Sequence, residues 1–214
     1  MLTAMLAQAR ALMSFLLLLY LIPVLCLSAV VVASTNTGIS LGDFLRDPSS
    51  TTETSPFVGV ISNLGALLWA ASATVCLFSW SIMRSTQGKT AFARFVLFFG
   101  LMTVILLLDD LFLFHETVYP RFGVSEMLSA MCYGVVVLYG LIAFRKCILE
   151  TEFLILLIAL AFFGLSIFVD TFQGRIEWRI GEWRILAEDG AKFLGIVAWF
   201  GYFSRCCFLR INST

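Results

Sequence analysis

Leu106-Leu-Leu-Asp-Asp-Leu-Phe-Leu-Phe-His-Glu116 ends an otherwise apolar segment with two adjacent aspartates, the only histidine of the chain and a glutamate. The apolar run leading into it, residues 95–114, is long enough for a helix to cross the ~30 Å hydrocarbon core of a bilayer. An ionised Asp within such a helix costs roughly 2.5–3.5 kcal/mol on insertion scales, and each Leu or Phe returns only about 0.3–0.6 kcal/mol. Two aspartates therefore offset roughly ten apolar neighbours. Making a membrane helix does not require that expense, so the acids are read as functional and the other buried charges as their partners.

Composition sets the frame for this stretch. The chain has 214 residues, 60% hydrophobic and 13% charged. A soluble domain carries about twice that charge, so the expected class is a polytopic, all-α membrane helical bundle. No polar stretch is long enough to bury a separate soluble core, which makes residues 1–214 one transmembrane domain. The formal net charge of zero gives no reason to expect nucleic acid.

Six spans are expected, at about 12–33, 57–83, 95–116, 126–144, 153–170 and 185–203. Pro23 interrupts the first and should kink it. The first span also has the makeup of a cleaved signal peptide, although its apolar run is longer than a typical signal core. Ser55-Pro56 reads as an N-cap followed by Pro at the first helical position, and Ser125 and Thr151 as caps of the fourth and fifth spans. Between the fifth and sixth lies a short amphipathic segment, Thr171 to Arg184, containing the direct repeat Glu-Trp-Arg-Ile-Gly-Glu-Trp-Arg-Ile at 177–185. Its pattern is that of a helix lying in the membrane interface. A functional version makes it a lid in which Arg175, Arg179 and Arg184 hold a lipid phosphate.

Orientation follows from the basic residues. With the N-terminus inside, eight face the cytoplasm (Arg10, Arg84, Lys89, Arg94, Arg145, Lys146, Arg205, Arg210) and five the other side (Arg46, Arg121, Arg175, Arg179, Arg184). Both termini are then cytoplasmic, in a protein of a bacterial inner (plasma) membrane. No cysteine falls in an outer loop and none has metal or redox spacing, so the six cysteines imply no disulfide framework. Cys206-Cys207 is a candidate for acylation, with inert thiols the plainer reading.

In this topology the ionisable groups of the later spans share one layer. Asp109 and Asp110 lie roughly 8 Å inside the outer end of the third helix, and Asp170 at the outer end of the fifth. Glu188, Asp189 and Lys192 lie roughly 5–10 Å into the sixth. A continuous helix sets Asp110 about 100° and His115 about 120° from Asp109, so it cannot aim all these groups at one point. Glu188 and Lys192, at i and i+4, are expected to pair, which leaves Asp189 to face the third helix. The surplus of acids (Asp109, Asp110, Glu116, Asp170, Glu188, Asp189) over the counter-charge Lys192 must be protonated, hydrated or bound to a cation.

With His115 added, such ligands suit Mg²⁺, Ca²⁺ or Mn²⁺ better than Zn²⁺; a shared proton is the other occupant. Glu188-Asp-Gly-Ala-Lys192 resembles the Glu-Glu-x-x-Lys helix motif of the PrsW-type intramembrane metalloproteases. The later histidines of that family are missing here, so no activity is carried over. Three functions are expected in this order. The first is an ion- or proton-binding membrane protein, a small channel, transporter or sensor with an outward-facing acidic site. The second is an intramembrane metal-dependent hydrolase acting on a lipid or peptide at the outer leaflet. The third is a structural subunit, in a homo-oligomer or a larger membrane complex, whose acids meet a partner's charges. Membrane lipids are partners in all three.

Overall fold

A computed structural model describes residues 2–45, 48–55, 57–88, 90–172 and 183–212. Among these the secondary structure is all helix, joined by short turns, without strands. It falls into two compact units, Met1–Val58 and Gly59–Thr214. The first unit holds α1 (Leu2–Thr37) and two short helices, α2 (Leu41–Leu45) and α3 (Pro48–Thr51); α1 runs on as one helix through Pro23.

The second unit contains α4 (Val60–Gln87), α5 (Ala91–Phe112), α6 (Glu126–Ala143), the short α7 (Arg145–Leu149), α8 (Phe153–Thr171) and α9 (Trp183–Asn212). Five helices among the described residues are long and apolar enough to cross a membrane, namely α4, α5, α6, α8 and α9. Their starts follow ordinary cap chemistry only in part. Ser125 accepts from the Leu128 N–H as expected, and Thr90 does the same for Ala93 at the head of α5. Ser55-Pro56 does not open α4, which starts at Val60 behind Gly59, a residue in the left-handed region at φ 69°. Thr151 does not cap α8; its hydroxyl bonds the Ile148 carbonyl and the Tyr202 hydroxyl, and Glu152 holds the cap position.

α9 is longer than the span expected at 185–203, continuing to Asn212. The extra turns still bury Cys206 and Cys207 while keeping Arg205 at the surface. The amphipathic segment with Arg175 and Arg179 lies outside the described residues, apart from its two ends.

α9 packs between α8 and α4, and α4 packs on α5. Aromatic rings fill the middle of the bundle. Trp69 stacks on Phe163 with centroids 5.7 Å apart, and Trp199 meets both edge-on. Phe95, Phe99 and Phe203 continue the same packing. The indole N–H of Trp199 donates to the buried Thr103 hydroxyl at 3.1 Å, so the one polar group of that ring is satisfied. Gly195 lets α9 approach α8, because a Cβ there would stand 2.7 Å from the Phe163 ring. The centre is apolar and closely filled, and the ionisable groups lie toward the ends.

Candidate functional site

α5 ends at Phe112 because Leu113 turns into the left-handed conformation, φ 51° and ψ 43°, with its N–H still bonded to the Asp109 carbonyl. A π-helical turn, Phe114–Val118, and a 3₁₀ turn, Tyr119–Phe122, follow. A left-handed Leu costs about 1–2 kcal/mol, so something must offset it. The Asp109 carboxylate is that partner. Its Oδ1 accepts the His115 backbone N–H at 3.1 Å and the Tyr133 hydroxyl of α6 at 2.8 Å. Its Oδ2 faces His115 Nδ1 at 2.5 Å. Tyr119 adds an outer link, its hydroxyl 3.3 Å from that of Tyr133.

The break corrects the expectation of a continuous helix to residue 116. On such a helix His115 would point away from Asp109; folding back at Leu113 brings the two together. Facing a carboxylate, Nδ1 carries the proton, which leaves Nε2 toward the surface, 3.4 Å from Glu116 Oε1. The Asp109 side chain is 8% exposed and that of His115 28%. The hydrogen bond to Asp109 holds His115 above the ordinary imidazole range, against burial, which pulls it down; the negative charges of Asp109 and Glu116 add to the rise.

Asp110 points elsewhere and is also buried, its side chain 8% exposed. It takes a hydrogen-bonded ion pair from Lys192 of α9. Glu188 and Lys192 therefore do not pair with each other as their spacing predicts. Arg184, one turn earlier on α9, bonds Glu188 at 2.5 Å and frees Lys192 to cross to α5. Asp189 does not reach inward: it is exposed, as is Asp170.

The sequence thus placed seven possible ligands in one layer, and the fold sorts them into separate groups. Asp109, His115 and Glu116 form one, Asp110 with Lys192 a second, and Glu188 with Arg184 a third. Among the described residues no three His, Cys, Asp or Glu are placed to hold a metal ion together. Tyr133 and Tyr119 were not foreseen. Tyr133 sits two turns into α6 from its Ser125 cap, about one turn deeper than Asp109 is from the end of α5, so no match in depth pointed to it.

A family model for a domain of unknown function (DUF8692) matches residues 11–206. No curated protein and no solved structure matches the chain.

Proposed function

The chain belongs to the DUF8692 family, and we propose that it is a proton-responsive membrane protein in which the Asp109–His115 pair is the proton-binding site. The observation that carries this reading is the set of three donors on one buried carboxylate, two of them from the chain's only histidine. Protonation at Nε2 turns His115 into an imidazolium between two carboxylates, Asp109 and Glu116, and strengthens the bond that balances the strained Leu113. Loss of that proton weakens the same bond and loosens the turn. The occupant of the acidic layer is then a proton rather than the divalent cation, because Asp110 and Glu188 already have cationic partners. The filled aromatic centre favours a sensor, with the site open at one end, over a through-channel.

The membrane arrangement proposed with it has α1 as the sixth span. Both termini lie in the cytoplasm of a bacterial inner membrane. The excess of basic residues on the terminal side supports this orientation.

The sign of the pH response follows from the raised value for His115. Its contribution to stability is complete below the unfolded imidazole value of about 6.5 and fades as pH rises through the higher folded value. Thermal unfolding of the detergent-solubilised protein between pH 5 and 9 is expected to show that loss. His115→Gln should lack it, so the gap between the two should close as pH rises. Parallel curves for the two proteins would leave a structural subunit as the better reading.

A second reading rests on the same tautomer. With Nδ1 held by Asp109, the outward Nε2 is oriented as a general base and would activate water against a lipid ester. Hydrolysis of a labelled phospholipid by the purified protein, lost in His115→Gln, would favour it over the sensor.

A further inference from the structure

We propose that the end of the bundle opposite the Asp109–His115 pair holds a site for the headgroup of an ethanolamine phospholipid. A cavity of about 370 Å³ lies there, within the size range of small-ligand sites. It forms where the start of α5 (Phe92), the turn between α7 and α8 (Glu150, Thr151) and the last turns of α9 (Tyr202, Leu209, Arg210) come together. α5 has 22 residues, roughly 33 Å, which just crosses the ~30 Å hydrocarbon core. Phe92 in its first turn therefore marks one edge of that core, and the cavity beside it lies at headgroup level.

The polar lining divides into acceptors and donors. The Thr151 hydroxyl gives its one hydrogen to the Ile148 carbonyl at 2.7 Å, so across its 2.8 Å contact with Tyr202 it accepts and Tyr202 donates. The Tyr202 oxygen keeps its capacity to accept. Glu152 is taken by Arg205, which bonds both of its carboxylate oxygens. Glu150 makes no ion pair among the described residues, so its carboxylate is the acid open to a ligand cation. Arg210 supplies the donors. Its guanidinium carries five N–H groups and lies over the Phe92 ring, 5.2 Å from the centroid.

Acceptors beside an arginine fit a ligand that carries both a protonated amine and a phosphate. The ammonium has three N–H donors for the oxygens of Glu150 and Tyr202, and the phosphate matches the arginine fork. A choline headgroup offers no N–H, and the Phe92 face that would draw its quaternary cation already carries Arg210. A glycerol headgroup brings no cation to Glu150. The apolar walls favour a lipid over a soluble phosphoamine. Phe92 and Leu209 line the cavity, and an adjoining groove of about 560 Å³ shares Thr151 and Glu152 and adds Phe153, Leu154 and Ile155. That groove gives an acyl chain an apolar path away from the headgroup.

The test is native mass spectrometry of the purified full-length protein, titrated in detergent with phosphatidylethanolamine, phosphatidylcholine and phosphatidylglycerol of identical acyl chains. Phosphatidylethanolamine is expected to be retained roughly tenfold over the other two, the worth of about one charge-assisted hydrogen bond. Glu150→Gln should bring the ethanolamine and choline lipids level. Because Glu150 is exposed, that variant should keep the melting temperature of the parent in lipid-free detergent. Arg210→Gln should weaken the binding of all three lipids, and soluble glycerophosphoethanolamine should not compete. Equal retention of the three lipids by the parent protein would overturn the proposal. So would a preference that survives Glu150→Gln, or full competition by the soluble headgroup.

Discussion

A Lys192→Met variant is expected to lose about 3 kcal/mol of stability, near the lower end of the range for removing one member of a buried ion pair. Methionine keeps the length and apolar stem of lysine, so the loss reads the charge rather than the packing. The Lys192 side chain is 37% exposed, which softens the effect; the Asp110 side chain is 8% exposed, which keeps it large. Without its partner Asp110 must be protonated or drag water into the bundle. Adding Asp110→Asn to Lys192→Met should recover most of the loss, because the orphaned charge is then gone. Denaturation of the four proteins of this cycle gives the coupling directly. A cycle in which the two changes simply add would show that the pair does not tie α5 to α9.

Asp109→Asn is expected to have the next largest effect, about 1–3 kcal/mol, by removing the charge from a buried acceptor of three hydrogen bonds. The shape of the side chain is unchanged, so the helix itself should persist. The consequence falls on the turn. With a neutral amide in place of the carboxylate, less offsets the left-handed Leu113, and residues 113–122 should exchange their amide hydrogens faster while α5 stays protected. Hydrogen–deuterium exchange followed by mass spectrometry reads both regions in one experiment. Unchanged protection in the turn would mean that Asp109 does not hold it.

These two aspartates also show where sequence reasoning carried and where it stopped. Their cost in a membrane helix followed from insertion scales alone, but Lys192 was expected to pair with Glu188, and its reach across to Asp110 was not foreseen. The five long apolar helices of the second unit were legible, since length and hydropathy leave little choice. The partner of Glu188 was not. Arg184 and Lys192 stand one turn to either side of it, and only the position of Asp110 on the neighbouring helix decides between them.

The turn at Leu113 was less legible still. Leucine carries no turn chemistry, and the break exists because Asp109, His115 and Tyr133 together over-determine it. A local pattern cannot report a conformation held by contacts from another helix.

The proton-binding role of the Asp109–His115 pair is most directly tested by nitrogen-15 NMR of the histidine-labelled protein between pH 5 and 10, because the chain has a single histidine and the spectrum therefore reports one ring. The expected result is an Nδ1 that keeps its proton throughout and an Nε2 that loses its own with a midpoint above the ordinary value of about 6.5, moving down in Asp109→Asn. A neutral ring protonated at Nε2 instead, or a midpoint at or below the ordinary value and unmoved by Asp109→Asn, would contradict it.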